Sequence, residues 1–267
     1  MNALSLSALR RIATILFLLA GVALLAVDVA RAAAPTIRVL QIKGTINPVT
    51  AGYVVRGIQQ AEEDRAGVVL IEVDTPGGLD TSMREMVQAI VNSRVPVVTY
   101  VAPAGARAAS AGMFIVMAGH VAAMSPNTAI GAAHPVALGG SGEQTSQDRV
   151  SANKAEADTS AYARSIAELR GRNKEWAEGA VRLTDPAKGS ATADEALKLN
   201  VIDLVATNRD DLLDKLEGRK VRLLTGEATL QTRLAPQEVV EMSLFESFLF
   251  AISNPNVAFI LLSLATI

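Results

Sequence analysis

A chain of 267 residues, half of them hydrophobic, is long enough for one large domain or two small ones with a sizeable buried core. Its 25 basic and 27 acidic residues give a net charge of −2 without long runs of either sign, so no basic stripe tracks phosphates and no nucleic-acid partner is expected. The absence of cysteine excludes thiol catalysis, disulfides and cysteine-held metal centres, and two histidines without an HExxH pairing give no signal for a zinc hydrolase, so no metal or other cofactor is expected.

At the N-terminus, Arg10 and Arg11 precede an apolar run from Ile12 to Ala26, and Ala30-Arg31-Ala32 follows. Basic, apolar and small residues in that order make residues 1–32 a secretory signal or an uncleaved N-terminal anchor, which places the rest on the extracytoplasmic, periplasmic side. Short apolar, β-branched runs then follow at Ile37–Ile42, Val68–Val73, Val97–Val101, Val121–Met124 and Val201–Ala206. Helical stretches at Val49–Asp64, Leu79–Asn92 and Ala108–Ala118 separate them, and the alternation predicts an α/β domain with a largely parallel sheet covered by helices.

Two positions along this pattern have the makings of chemistry. Asp74-Thr75-Pro76-Gly77-Gly78 joins a buried strand to a helix, where free backbone amides can face a ligand, although such a sequence is also an ordinary turn. Ala108-Ala109-Ser110-Ala111-Gly112 sets a serine among very small residues at the predicted start of a helix. As a nucleophile Ser110 needs a base and an oxyanion hole, which the amide of Ala111 with that of Gly77 or Gly78 can form; as a structural residue it would cap or pack the helix.

Two bases are open. Lys154 is predicted at the opening of a helix that runs to Arg170, where the helix dipole, and burial if present, would favour the neutral amine; otherwise it is a solvated surface lysine. His134, in Ala132-Ala133-His134-Pro135, has a suitable unperturbed acidity but also fits a structural corner. His120, at a helix-to-strand junction, is predicted to be a satisfied structural histidine. Leu138–Ser151, rich in Gly, Ser and Gln, is predicted as a surface loop, and Thr192-Ala193-Asp194-Glu195 as a capping box opening a helix that Asn200 closes.

Beyond the last strand, the polar stretch from Arg219 to Gln237 is predicted to link the globular part to a C-terminal hydrophobic segment. Ser243 to Phe250 is largely apolar, Asn254-Pro255-Asn256 makes a turn, and Val257 to Ile267 is almost wholly apolar but covers only about half of a bilayer span. This end is expected to be the start of a membrane region continuing in a longer protein.

DTPGG at Asp74–Gly78, AASAG at Ala108–Gly112, Ser125-Pro126-Asn127-Thr128-Ala129-Ile130-Gly131-Ala132, and the segment from Lys154 to Gly171-Arg172-Asn173 occur in order. Together they resemble the long-form NfeD family of membrane serine proteases, whose soluble domain is similar to ClpP and to signal peptide peptidase A. The resemblance spans about residues 37–206 and resumes at Ser253-Asn254-Pro255-Asn256-Val257. It implies a ClpP/crotonase-like protease domain over residues 36–224, a linker over 225–242 and a membrane region from 243 to 267.

It further implies a Ser–Lys dyad of Ser110 and Lys154, and an oxyanion hole from Gly77 or Gly78 with Ala111. The implied substrates are hydrophobic, membrane-proximal peptide segments or membrane proteins, with a stomatin-like protein as a candidate partner, and a homo-oligomer is expected on the same ground. His134 stands near where ClpP carries its catalytic histidine, which keeps a Ser–His arrangement as the alternative. No GxxxxGK[ST] motif occurs, so cleavage is expected to be ATP-independent. The other readings are a membrane-tethered scaffold without catalysis and, less favoured, a crotonase-like acyl-CoA enzyme.

Overall fold

The computed structural model describes residues 35–135, 146–182 and 189–253, with Val257 and Ser263 beyond them. The N-terminal signal or anchor, part of the 138–151 loop and most of the final apolar run lie outside the described residues.

The core is a six-stranded, all-parallel sheet in the order β11-β1-β2-β3-β5-β8. Its strands are β1 (Ile37–Lys43), β2 (Val68–Asp74), β3 (Val97–Val101), β5 (Val121–Met124), β8 (Leu204–Val205) and β11 (Gln237–Val239). The central strands are apolar on both sides because both faces are covered. Along β1 and β2, Leu40, Ile42, Val69, Ile71 and Val73 enter one buried cluster, while Ile37, Val39, Val68 and Leu70 enter the other, the alternation a pleated strand imposes.

The larger cluster is covered by α1 (Pro48–Glu63), α2 (Asp80–Asn92), α3 (Ala111–Ala118), α4 (Ser146–Leu169), α5 (Lys174–Arg182) and α6 (Ala193–Lys198). The smaller one lies under α7 (Arg209–Leu216) and the antiparallel hairpin of β9 (Lys220–Leu223) and β10 (Gly226–Thr229). A second, three-stranded sheet of β4 (Arg107–Ala109), β6 (Ala129–Gly131) and β7 (Ser190–Thr192) carries the segment that leads into Ser110. The predicted capping box is present: Thr192 accepts from Glu195 and receives its carboxylate in return, and Asn200, at φ 57°, ends that helix turn.

Several boundaries differ from the sequence reading. Ala108 and Ala109 belong to strand β4 rather than to a helix, since β6 and the backbone of Thr75 offer them ladder partners that outweigh alanine's helical preference. Residues 146–151 are the first turns of α4 and not loop. The stretch expected as a linker carries β10 and β11, and β11 extends the main sheet by pairing with β1. Beyond it, α8 (Leu244–Ile252) packs on α1, where Glu246 takes a bidentate pair from Arg56 at 2.6 and 3.1 Å.

Candidate active site

The chain leaves β4 and enters α3 through Ser110, whose backbone sits at φ 54° and ψ −120°. These are the angles of the first central position of a type II′ turn, where glycine dominates because an L side chain is strained. The geometry is held from both sides. The Ser110 amide donates to the Gly131 carbonyl at 2.8 Å, the Ala109 amide to the Thr75 carbonyl at 3.1 Å, and the Thr75 amide to the Arg107 carbonyl at 2.8 Å. Ser110 makes no side-chain cap bond to α3, so its half-buried hydroxyl is not consumed as the helix cap.

The Gly77-Gly78 loop closes over this serine. A Cβ on Gly77 would stand 2.6 Å from the Ser110 Cβ and 3.1 Å from its Oγ, so only glycine allows the approach, and its φ of +108° asks for glycine independently. The Gly77 amide is already engaged, donating to the Thr75 hydroxyl at 3.0 Å.

Gly78 differs. The Ile46 amide donates to the Gly77 carbonyl and the Leu79 amide to the Ile46 carbonyl, both at 2.9 Å, a parallel bridge that turns the Gly78 amide away from Ile46. The amides of Gly78 and Ala111 donate to none of the described residues, and Ala111 is the first residue of α3, where helical N–H groups are unsatisfied. Of the two glycines expected as oxyanion donors, Gly78 therefore has the free amide.

Thr75 is the residue that sequence reading missed. Buried completely, it ties β4 to the loop through its backbone and holds Gly77 through its hydroxyl. Its methyl group also explains Gly112, where a Cβ would meet the Thr75 Cγ2 at 2.5 Å. The small residues around Ser110 thus serve the packing of α3 against this loop as well as access to the hydroxyl.

Lys154 lies on α4 and is exposed, with no partner among the described residues. Because α4 begins at Ser146, Lys154 is in the third turn, beyond the reach of the helix-terminal dipole, and the expected dipole effect does not apply. Lys154, Asp158 and Tyr162 follow each other one turn apart on a single face. Asp158 pairs with Arg84 of α2, and the Tyr162 ring stacks on Phe114 of α3 at 6.0 Å between centroids. This face of α4 is therefore tied to α2, which starts beside Gly78, and to α3, which starts at Ser110.

His134 is anchored on α5. Its Nδ1 lies 2.9 Å from the Val181 carbonyl at the end of α5 and 4.0 Å from Glu156. Glu156 is two positions beyond Lys154, and such residues point to different sides of a helix.

His120 accepts the Val97 amide on Nδ1 at 3.1 Å, but its buried Nε2 has no partner among the described residues, so it is half satisfied rather than fully so. Burial, with the charges of Arg170 and Arg172 added, pushes its pKa down to about 3. Those arginines serve α3 as well: Arg170 donates to the Ala118 carbonyl at 2.7 Å and Arg172 to that of Gly119 at 3.0 Å, at the negative end of the helix.

Residues 36–225 match the family of the NfeD1b N-terminal domain. The chain is 38% identical over 228 residues to the membrane-bound protease PH1510 of Pyrococcus horikoshii, covering 85% of this chain and 50% of that one. It is 27% identical over 206 residues to membrane protein NfeD1b of Bacillus subtilis, covering 73% and 44%. The chain thus spans about half the length of the curated relatives it matches.

Solved structures superpose on it, two of them variants of a single protease. One is a lysine-to-alanine mutant of the 1510-N membrane-bound stomatin-specific protease in complex with a substrate peptide, with a TM-score of 0.73 at 35% identity, covering 83% of this chain and 99% of that one. The other is a serine-to-alanine mutant of the same protease, with a TM-score of 0.70 at 36% identity, covering 79% and 100%.

Proposed function

As the chain belongs to the family of the NfeD1b N-terminal domain, we propose that it is an ATP-independent, membrane-associated serine endopeptidase working through Ser110 and Lys154. The observation that carries this reading is the Ser110 backbone, held at φ 54° beside the free amides of Gly78 and Ala111. Strain of this kind costs about 1–3 kcal/mol and persists where function needs it.

In the proposed reaction, Ser110 Oγ attacks the scissile carbonyl carbon while the Lys154 amine takes its proton. The oxyanion that forms accepts hydrogen bonds from Gly78 and Ala111. Collapse breaks the C–N bond, and the Lys154 ammonium gives its proton to the leaving amine. Water then attacks the acyl-enzyme, Lys154 takes its proton, and Ser110 leaves as the hydroxyl.

Lys154 is preferred to His134 because its face of α4 also carries Asp158, tied to α2 next to Gly78, whereas His134 is fixed on the Val181 carbonyl. Exposed apolar side chains neighbour the proposed residues along the chain: Leu79 follows Gly78, and Val150 stands one turn before Lys154. They support apolar peptide segments as substrates, and the stomatin specificity in the names of the superposed structures makes a stomatin-like protein the proposed target.

Membrane association is supported by the two apolar terminal runs, although no described helix is long and apolar enough to cross a membrane. The basic, apolar and small residues at the start of the chain favour the extracytoplasmic side. Homo-oligomerisation remains part of the proposal on the ground of family resemblance.

Cleavage of apolar peptides by the full chain in detergent tests the reading. Ser110→Ala and Lys154→Ala should abolish turnover while His134→Ala retains it; loss with Ser110→Ala and His134→Ala, but not with Lys154→Ala, would replace the lysine by the histidine.

A further inference from the structure

Arg84 of α2 pairs with α4 and contacts a ring that stacks on α3. Its Nε donates to Asp80 on its own helix at 2.9 Å, and its other donor reaches Asp158 of α4. The guanidinium lies over the Tyr162 ring, 4.4 Å from the centroid, and Tyr162 in turn stacks on Phe114. Each partner relates to a proposed site element: Asp80 is two residues past Gly78, Phe114 is one turn past Ser110, and Asp158 is one turn past Lys154.

We propose that Arg84 is a positioning residue: by clamping the Lys154 face of α4 to the helices that begin at Gly78 and Ser110, it sets the lysine amine against the serine hydroxyl. The inference rests on the Ser110–Lys154 reading and adds what holds the two together. Lys154 itself has no partner among the described residues, so the position of its stem depends on the helix that bears it. An arginine suits the task because its planar fork serves two carboxylates and an aromatic face at once, which a lysine cannot do. A single half-exposed ion pair would hold little, but two carboxylates and a stacked ring on one guanidinium form a network.

The chain has no cysteine, so Lys154→Cys accepts a single nitroxide label whose mobility can be read without any activity. In the full chain, adding Arg84→Met should raise the label's mobility, while a label on the exposed Glu175 of α5 stays unchanged. In the unlabelled enzyme, Arg84→Met should lower kcat tenfold or more with KM within twofold, Arg84→Lys should recover part of the loss, and Asp158→Asn should act in the same direction with the Asp80 contact intact.

A label at 154 equally immobile in Arg84→Met, or an unchanged kcat in that variant, would overturn the clamp. Full turnover by Lys154→Ala would overturn the dyad instead, and with it any catalytic role of Arg84.

Discussion

At the scale of single residues, the site is built from backbone geometry that an L side chain resists. If Ser110 is held at a glycine-like φ and ψ for function, removing the strain should stabilise the fold as it removes the nucleophile. Ser110→Gly is expected to be more stable than Ser110→Ala by about 1 kcal/mol in urea unfolding, since both lose the hydroxyl and only glycine relaxes. Equal midpoints would mean that the backbone carries no strain.

His120 gives a second prediction. Its folded pKa, about 3, lies below the ordinary 6.5, so the native state resists a proton that the unfolded chain binds. The stability it contributes is complete above pH 6.5, declines as the pH falls and is gone below about 3. A shift of that size is worth on the order of 5 kcal/mol. Unfolding midpoints of the parent should therefore fall steeply between those limits, and His120→Gln should flatten the decline; parallel curves would contradict the assignment.

The serine and the glycine pair stood out in the sequence because glycine, alanine and proline mark tight backbone. Thr75 and Arg84 did not, since a buried hydroxyl and a cross-helix ion pair leave no local pattern.

At the scale of elements, periodicity located the central strands almost to the residue because both faces are apolar. It failed at short edge elements. β10 and β11 are polar and three or four residues long, so their sequence is that of a linker, and only pairing with β9 and β1 makes them strands.

The helix after them, α8, is apolar on two sides. Leu249 and Phe250 are partly covered, while Leu244, Phe245 and Phe248 are exposed by 93%, 69% and 60%. We expect this outer face to lie in the membrane interface, as the apolar run that follows in the sequence suggests. The chain's single tryptophan, Trp176, is buried. In vesicles, Trp176→Phe with Phe248→Trp should be quenched by lipids brominated near the headgroup, and the parent should not; an unquenched Trp at 248 would place α8 away from the bilayer.

At the scale of the whole molecule, a doubly covered parallel sheet delivers the ends of successive strands to one edge, where connecting loops meet, and the proposed site is assembled there. The loop after β2 brings Gly77 and Gly78, the crossover after β3 brings β4 and Ser110, and Lys154 on α4 is the base proposed for this serine. Order and spacing of the motifs marked Ser110 and the glycine pair, and the loop bearing Gly77 does approach that serine, while the choice between Lys154 and His134 leaves no mark in the sequence, because both follow Ser110 on segments whose facing depends on packing.

If Lys154 activates Ser110 as proposed, the rate at which a fluorophosphonate labels Ser110, read as intact mass, should depend on that lysine. One adduct is expected on the parent, none on Ser110→Ala, labelling slowed at least about a hundredfold in Lys154→Ala and near the parental rate in His134→Ala. Parental labelling in Lys154→Ala, with labelling lost in His134→Ala, would contradict the proposal.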